Sequence, residues 1–376
     1  MNDATGGPRA RAGGTASAVA ARISLPTYDV TVAPGSLDSV GDVARRVAPA
    51  HRYAVVTDGN VGPLYARRVV ESFAGEPLHV VDIPAGEAQK TRANWGQVTD
   101  ALLDAGCGRD TTIVALGGGV VGDLAGFVAA TFMRGVPYVQ VPTTLLAMVD
   151  ASVGGKTGVD TPAGKNLVGA FHQPVAVIVD PAVLATLPLA HRRAGLAEAL
   201  KHGIIADAGY FDRTAHDPDS LWIGAESDRV TALIARSIEI KADVVRRDER
   251  EGGLRKVLNF GHTLGHAIEA ASGYALLHGE AVAIGMVLES ELAERAGVAD
   301  AGTAMRIREA VQRVGLPIDR PRAVEASSLL AATRGDKKAR AGSAEYALPR
   351  RIGAMAGEER GWGIPVDERL VLEVLA

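Results

Sequence analysis

The chain contains one cysteine, Cys107. No intramolecular disulfide can form, which points to a reducing, cytoplasmic setting. As a lone small residue, Cys107 reads as core rather than as a nucleophile. Long apolar runs are absent too: nothing approaches the ~20 consecutive residues of a membrane span. The first 22 residues, rich in Gly, Ala, Arg and Thr, lack the apolar h-region of a secretory signal and read as a disordered tail. A strong charge excess is also missing. The net charge is −4, so neither nucleic acid nor an anionic membrane surface is an expected partner. What remains is an ordinary globular composition, 47 % hydrophobic and 22 % charged over 376 residues, enough for about two domains.

Between residues 23 and 180 short β-rich runs alternate with helix-length segments. Candidate strands are Tyr28–Val32, Tyr53–Thr57, Leu78–Ile83, Thr112–Leu116, Tyr138–Val141 and Val175–Val179. Several are continuous apolar runs bounded by Gly, Pro or Asp, the pattern of parallel strands covered on both faces. The alternation predicts a doubly wound α/β domain. After Pro181 strand signals nearly vanish, and helical spacing runs through Leu187–Ile205, Ser227–Arg247, Leu258–Ala271, Gly279–Ala296 and Ala304–Val314. The expected organisation is therefore a tail (1–22), an α/β domain (23–180) and a mostly helical domain (181–376). No repeat or linker separates the two domains, so they are expected to pack closely around a cleft.

Gly117-Gly118-Gly119-Val120-Val121-Gly122-Asp123 follows an apolar strand and opens a helix. It satisfies G-x-G-x-x-G, in which glycines admit a pyrophosphate to a helix N-terminus. Alone the motif is a weak signal, with a tight turn packing helix on strand as the lesser alternative. Other strand ends carry Asp58-Gly59-Asn60, Gly86-Glu87 with Lys90, and Thr143-Thr144. Each is an ordinary turn or cap taken singly. Together they fall on the carboxyl edge of one sheet, where open α/β folds bind nucleotides. The segment from Asp150 through Gly154-Gly155-Lys156-Thr157 fails as a P-loop, because Asp150 stands where that motif needs glycine. It and Gly164-Lys165-Asn166 still place two lysines in glycine-rich loops suited to phosphate.

Only nine histidines occur, and His262, His266 and His278 cluster. His262 and His266 stand at i, i+4 on one helix face, a spacing that chelates zinc. His278 follows the next turn, and Glu198 is one of several carboxylates that could complete a site. On spacing alone His262 and His266 are the natural pair. Upstream, Lys241, Arg246, Arg247, Arg250 and Arg255 form either a solvated face or an anion site.

GGGVVGDLAGF (117–127), MRGVPYVQVPTTLLAMVDASVGGKTGVDTPAGKNLVGAFHQP (133–174), GLAEALKHGII (195–205), RRDEREGGLRKVLNFGHTLGHAIE (246–269), LHGEAVAIGM (277–286) and GDKK (335–338) resemble, in order and spacing, the dehydroquinate synthase family of sugar phosphate cyclases. The resemblance implies an N-terminal Rossmann-like NAD-binding domain and a C-terminal metal-binding helical domain. It implies Zn2+ (or Co2+) held by Glu198, His262 and His278, with His266 as a nearby proton relay. NAD would contact Asp58, Asn60, Glu87, Lys90, Gly119, Val120, Val121, Gly122, Asp123, Thr143, Thr144, Lys156, Lys165, Val183, Leu184, Ala185 and Thr186. Asp150, Lys156, Asn166, His266 and Glu251 would form the catalytic group. Arg134, Lys156, Lys241, Arg255, Asn259 and Lys337 would hold the substrate.

The implied substrate is a small-molecule sugar acid phosphate, 3-deoxy-arabino-heptulosonate 7-phosphate, and the product is 3-dehydroquinate on the shikimate route to aromatic amino acids. The implied course is transient oxidation by NAD, phosphate elimination, re-reduction and intramolecular aldol closure, so the net reaction is that of a lyase. A homodimer is expected on the same ground. Met148, Ala151 and His202 depart from the residues common in the family, and Arg350–Gly363 looks long. Sister cyclases making amino-dehydroquinate, 2-deoxy-scyllo-inosose or valiolone are the main alternative. A metal-dependent polyol dehydrogenase is a further one, and it would release NADH.

Overall fold

The computed structural model describes residues 21–222, 228–334 and 344–376. Its first half contains strands β1 (Ala21–Ser24), β2 (Asp29–Val32), β3 (Arg52–Asp58), β4 (Leu78–Ile83), β5 (Thr111–Gly117), β6 (Tyr138–Pro142), β7 (Lys156–Thr161), β8 (Gly164–Phe171) and β9 (Ala176–Val179). Helices α1 (Val40–Val47), α2 (Arg67–Glu71), α3 (Arg92–Asp104) and α4 (Gly119–Thr131) lie between them. Seven strands form one sheet in the order β1-β2-β9-β6-β5-β3-β4. From β2 to β4 every pairing is parallel, and only β1 runs antiparallel, at the edge. All seven residues of β5 are buried, as the unbroken TTIVALG run requires.

The second half is built from α5 (Leu189–Ala206), α6 (Ala208–His216), α7 (Asp228–Arg247), α8 (His262–Ala271), α9 (His278–Arg295), α10 (Thr303–Arg313), α11 (Ala326–Arg334) and α12 (Glu368–Leu375). Two pairs of two- or three-residue strands decorate it between Glu345 and Pro365. Each of the six expected strands is present within one residue or so at its ends. One apolar cluster runs from sheet residues such as Val30, Val139 and Val177 into α5, α7 and α9. The halves are thus joined by a continuous core.

Three expectations need correction. The segment read as a tail ends two residues early, because Ala21 and Arg22 already pair with Val32 and Thr31 in β1. The lysine-bearing loops are a hairpin: Lys156 opens β7, Lys165 lies in β8, and the two strands form their own two-stranded sheet, with one isolated bridge from Asp160 to Thr91. The continuous helix expected over 258–271 is broken by Gly261 at φ +77°, so α8 begins at His262 after a 3-10 turn over Leu254–Asn259. Helical spacing cannot reveal such a break, because the polar pattern continues through it.

Candidate active site

Four side chains meet where α5, α8 and α9 converge. Glu198 is fully buried on α5. His262 opens α8 with His266 one turn on, and His278 opens α9. Nε2 of His262 and Nε2 of His278 each lie 3.5 Å from the same oxygen, Oε1 of Glu198. Neither contact has hydrogen-bond geometry. The spacing matches the separation of about 3.4 Å between tetrahedral ligands that each sit ~2.1 Å from a zinc ion. Glu198 Oε1 has no hydrogen-bond partner, which is costly for a buried carboxylate oxygen unless a cation takes it.

The far nitrogens agree with this reading. His262 Nδ1 is 3.1 Å from the Phe260 carbonyl, and His278 Nδ1 is 3.5 Å from Glu269 Oε2. A proton on each Nδ1 leaves each Nε2 lone pair for a metal, the arrangement usual for ligating imidazoles. Burial holds the His262 ring below its ordinary value, and the Lys201 charge adds to this, so that ring is neutral. At His278, Glu198 and Glu269 outweigh burial and raise the ring to about 9, so an ion there would displace a proton from Nε2. Glu198, His262 and His278 therefore fit a zinc or cobalt ion. His266 stands edge-on to His262 with ring centroids 5.2 Å apart, and its nitrogen is close enough to be an alternative third imidazole.

Several residues that hold this centre escaped the sequence reading. Lys201, one turn beyond Glu198 and 1 % exposed, forms an ion pair with Glu198 Oε2 and lies 3.8 Å from Asp150. Glu289, fully buried on α9, accepts the backbone N–H of Gly261 (2.6 Å) and of Leu264 (2.9 Å). It caps the α8 N-terminus that Gly261 cannot cap, and so fixes the two histidines. His202 Nδ1 is 2.6 Å from Ser237 Oγ, and its Nε2 lies 3.5 Å from Asp150. Spacing offered one clue: His262, His266 and Glu269 fall at i, i+4, i+7 on one face.

Polar contacts bridge the two halves. Asp150 faces Lys241 at 2.8 Å together with Lys201 and His202. Burial alone would raise the Asp150 carboxyl, but the Lys201 and Lys241 charges, with a hydrogen bond from His202, hold it well below the usual range. Lys241 is the reverse case: burial and the Arg255 charge outweigh Asp150 and bring it down to about 8. Lys156 Nζ meets Glu251 at 2.5 Å, and Asn259 Nδ2 donates to the other Glu251 oxygen at 2.7 Å. Glu251 (φ +62°) and Asn166 (φ +54°) are left-handed, a conformation costing on the order of 1–3 kcal/mol that clusters at functional sites.

The expected nucleotide residues line one sheet edge. Asp58 ends β3, Glu87 and Lys90 follow β4, Gly119 to Asp123 open α4 after β5, and Thr143 and Thr144 follow β6. Gly118 caps α4 without a side chain, leaving its first-turn N–H groups for an anion, and buried Thr143 Oγ1 has no partner. The packing role of the glycines is equally real, since a Cβ on Gly122 would meet Gln140 Oε1 at 2.9 Å. Some of these side chains are already engaged. Asp58 Oδ1 accepts the N–H groups of Asn60 and Val61, and Lys90 Nζ lies between Asp123 (2.5 Å) and Asn166 (2.6 Å). Val121, Val183 and Leu184 bury their side chains in the core, so only their backbones could meet a nucleotide.

Ala185 and Thr186 are exposed, and Thr186 Oγ1 is 2.7 Å from the Tyr65 hydroxyl. Arg255, 1 % exposed, spends two nitrogens on the carbonyls of Glu249 and Gly154 but leaves Nε unpaired. Arg134 is exposed in the turn that feeds the amino end of β6, away from the crevice edge. Lys337 lies outside the described residues.

Comparison with known proteins agrees with the fold, and solved neighbours of that fold hold NAD+ with Co2+ or Zn2+. Residues 80–194 match the sequence model of the 3-dehydroquinate synthase N-terminal domain, and residues 195–339 match that of the C-terminal domain. The 3-dehydroquinate synthase of Geobacter metallireducens is 46 % identical over 334 residues, covering 88 % of this chain and 92 % of the relative. Among solved structures, 2-deoxy-scyllo-inosose synthase complexed with carbaglucose-6-phosphate, NAD+ and Co2+ superposes with a TM-score of 0.86 at 26 % identity, covering 94 % of this chain and 99 % of that one. The 2-epi-5-epi-valiolone synthase of Streptomyces hygroscopicus subsp. jinggangensis, with NAD+ and Zn2+ bound, gives 0.84 at 31 % identity, with 94 % and 97 % coverage. The sister cyclases thus share the architecture at lower identity, whereas both domain models and the 46 % identical relative are 3-dehydroquinate synthases: this chain belongs to the 3-dehydroquinate synthase family.

Proposed function

We propose that the protein converts 3-deoxy-arabino-heptulosonate 7-phosphate into 3-dehydroquinate and phosphate, using NAD and a zinc or cobalt ion. The observation that carries the reading is the sharing of Glu198 Oε1 by the two imidazole nitrogens, at the foot of a nucleotide-type sheet edge. When bound, NAD supplies a reversible hydride acceptor and the ion supplies a Lewis acid.

The chain's own groups do the rest. Glu198, His262 and His278 hold the ion. The uncapped α4 N-terminus and Thr143 receive the nucleotide. Lys156 and Asn259, both aligned by Glu251, form the donor group for the substrate phosphate. Lys241, steered by Asp150, supplies a further cation. His266 lies outside this ligand set and edge-on to His262, which places it to carry a proton. Glu251 and Asn166, held in strained conformations by their partners, are pre-organised for the bound state. A homodimer in the cytoplasm accompanies this reading, supported by the family resemblance. Among the described residues no helix is long and apolar enough to cross a membrane.

The test is phosphate release from zinc-loaded protein with catalytic NAD, offering the heptulosonate phosphate and sedoheptulose 7-phosphate in parallel. Release from the first alone, without accumulating NADH, is the expected result. Release from the second alone would move the protein to a sister cyclase, and stoichiometric NADH would make it a dehydrogenase. A pH effect follows from Lys241, which is charged below about pH 8 and neutral above it. Because kcat/KM reports the free enzyme, it should decline as pH rises through about 8. Lys241→Met should lower kcat/KM and remove that step, and a persisting step would assign it elsewhere.

A further inference from the structure

Besides its two histidines, α8 carries a third polar side chain on the same face. Glu269 lies at i+7 from His262 and is 3 % exposed. A buried carboxylate is expensive unless its oxygens are paired. Here each oxygen has its own partner, and the partners come from different places. Oε1 is 2.9 Å from Lys165 Nζ on the β7–β8 hairpin, and Oε2 is 3.5 Å from Nδ1 of His278 at the start of α9. Lys165 is enclosed further by Glu87 Oε1 at 2.9 Å and by the Tyr274 ring, whose centroid is 4.8 Å away.

We propose that Glu269 is a positioning residue that turns His278 Nε2 toward the metal and, through its other oxygen, pins the hairpin to the metal-bearing helix. An imidazole on a helix end can rotate about χ2, and its ligand nitrogen is set by what its other nitrogen bonds. Glu269 is the carboxylate at that other nitrogen. β7 is tied to the α/β half, where the Asp160 N–H donates to the Lys90 carbonyl at 2.7 Å, but much of β8 is exposed, and that is the strand the Lys165 contact holds. The hairpin's other ionic tie to the helical half, Lys156 to Glu251, has a half-exposed lysine and is correspondingly weak. The Lys165 tie lies beside Asn166, so the same contact steadies a residue of the proposed catalytic group. Metal occupancy and hairpin order then share one carboxylate, and by linkage each favours the other.

This inference rests on the zinc site proposed above, and the test separates the two. Zinc affinity of the metal-free full-length protein is measured by competition with a chromophoric chelator. Amide hydrogen exchange over residues 156–171 is then followed in the zinc-loaded form. Glu269→Gln, nearly isosteric, should bind zinc about 10–100-fold more weakly and exchange faster in the hairpin. Glu269→Asp should fall between it and the parent. Lys165→Met should keep zinc affinity within about threefold while speeding hairpin exchange, since it spares the His278 contact. Parent-like zinc affinity in Glu269→Gln and Glu269→Asp overturns the orienting role. Unchanged hairpin exchange in Lys165→Met overturns the anchoring role. A parent protein that binds no zinc overturns the metal site itself, and this inference with it.

Discussion

Glu198→Gln is expected to cost at least about 10³-fold in turnover and to empty the metal site, while His266→Ala keeps the metal and loses turnover. A bound metal stabilises charge at a reacting oxygen by several kcal/mol, and about 4 kcal/mol corresponds to three decades of rate. Glu198 Oε1 lies 3.5 Å from each of the proposed ligand nitrogens, so an amide there removes the negative centre of the set. Glutamine is preferred to alanine because Lys201 is buried against Glu198. Truncation would strand that ammonium and destabilise the protein by about 3–5 kcal/mol, mixing a folding defect with a catalytic one. Bound zinc measured on folded protein, beside turnover, decides the assignment. If His266→Ala loses the ion and Glu198→Gln retains it, the site is the three-imidazole cluster His262, His266 and His278, which the geometry also permits.

That ambiguity shows what was readable in the sequence. Spacing along one helix singled out His262 and His266, because i, i+4 is a local relation. Glu198 is 64 positions before His262, and only the packing of α5 against α8 and α9 brings them together. No periodicity encodes that distance; the resemblance to a family supplied it. The parallel strands were legible because burial on both faces leaves unbroken apolar runs such as TTIVALG. The β7–β8 hairpin was not, because KTGVDT and GKNLVGAF alternate poorly and are rich in glycine. Those glycines are there for strand contact: a Cβ on Gly169 would lie 2.1 Å from the Thr157 carbonyl oxygen. Lys201, Glu269 and Glu289 were missed for one shared reason. A charged residue on a helix reads as solvated by default, and burial is visible only after the helices are packed.

Gly279→Ala is the mutation for which this packing predicts the largest effect from the smallest change. Gly279 follows the proposed ligand His278, and a Cβ built there would lie 2.0 Å from the Ala194 carbonyl oxygen and 2.6 Å from its carbon. Real Cβ atoms essentially never approach below 3.0 Å, and the obstacle is helix backbone that cannot rotate away. Ala194 precedes Glu198 by one turn of α5, so relief means moving α9 away from the helix that carries the shared carboxylate. The required shift is about 1 Å, whereas a metal site tolerates about 0.2 Å in its ligand distances. Overpacking of this kind costs about 1–3 kcal/mol of stability. Zinc affinity should fall by more than that stability loss explains, because the displacement moves the helix bearing His278 relative to the helix bearing Glu198. Gly96→Ala is the matched control: it lies in α3 with nothing within 4 Å of its added Cβ, and should stabilise the fold by up to about 1 kcal/mol. Chelator competition and thermal unfolding of both variants provide the check. A Gly279→Ala protein with parental zinc affinity would show that α5 and α9 do not set the distance between Glu198 and His278.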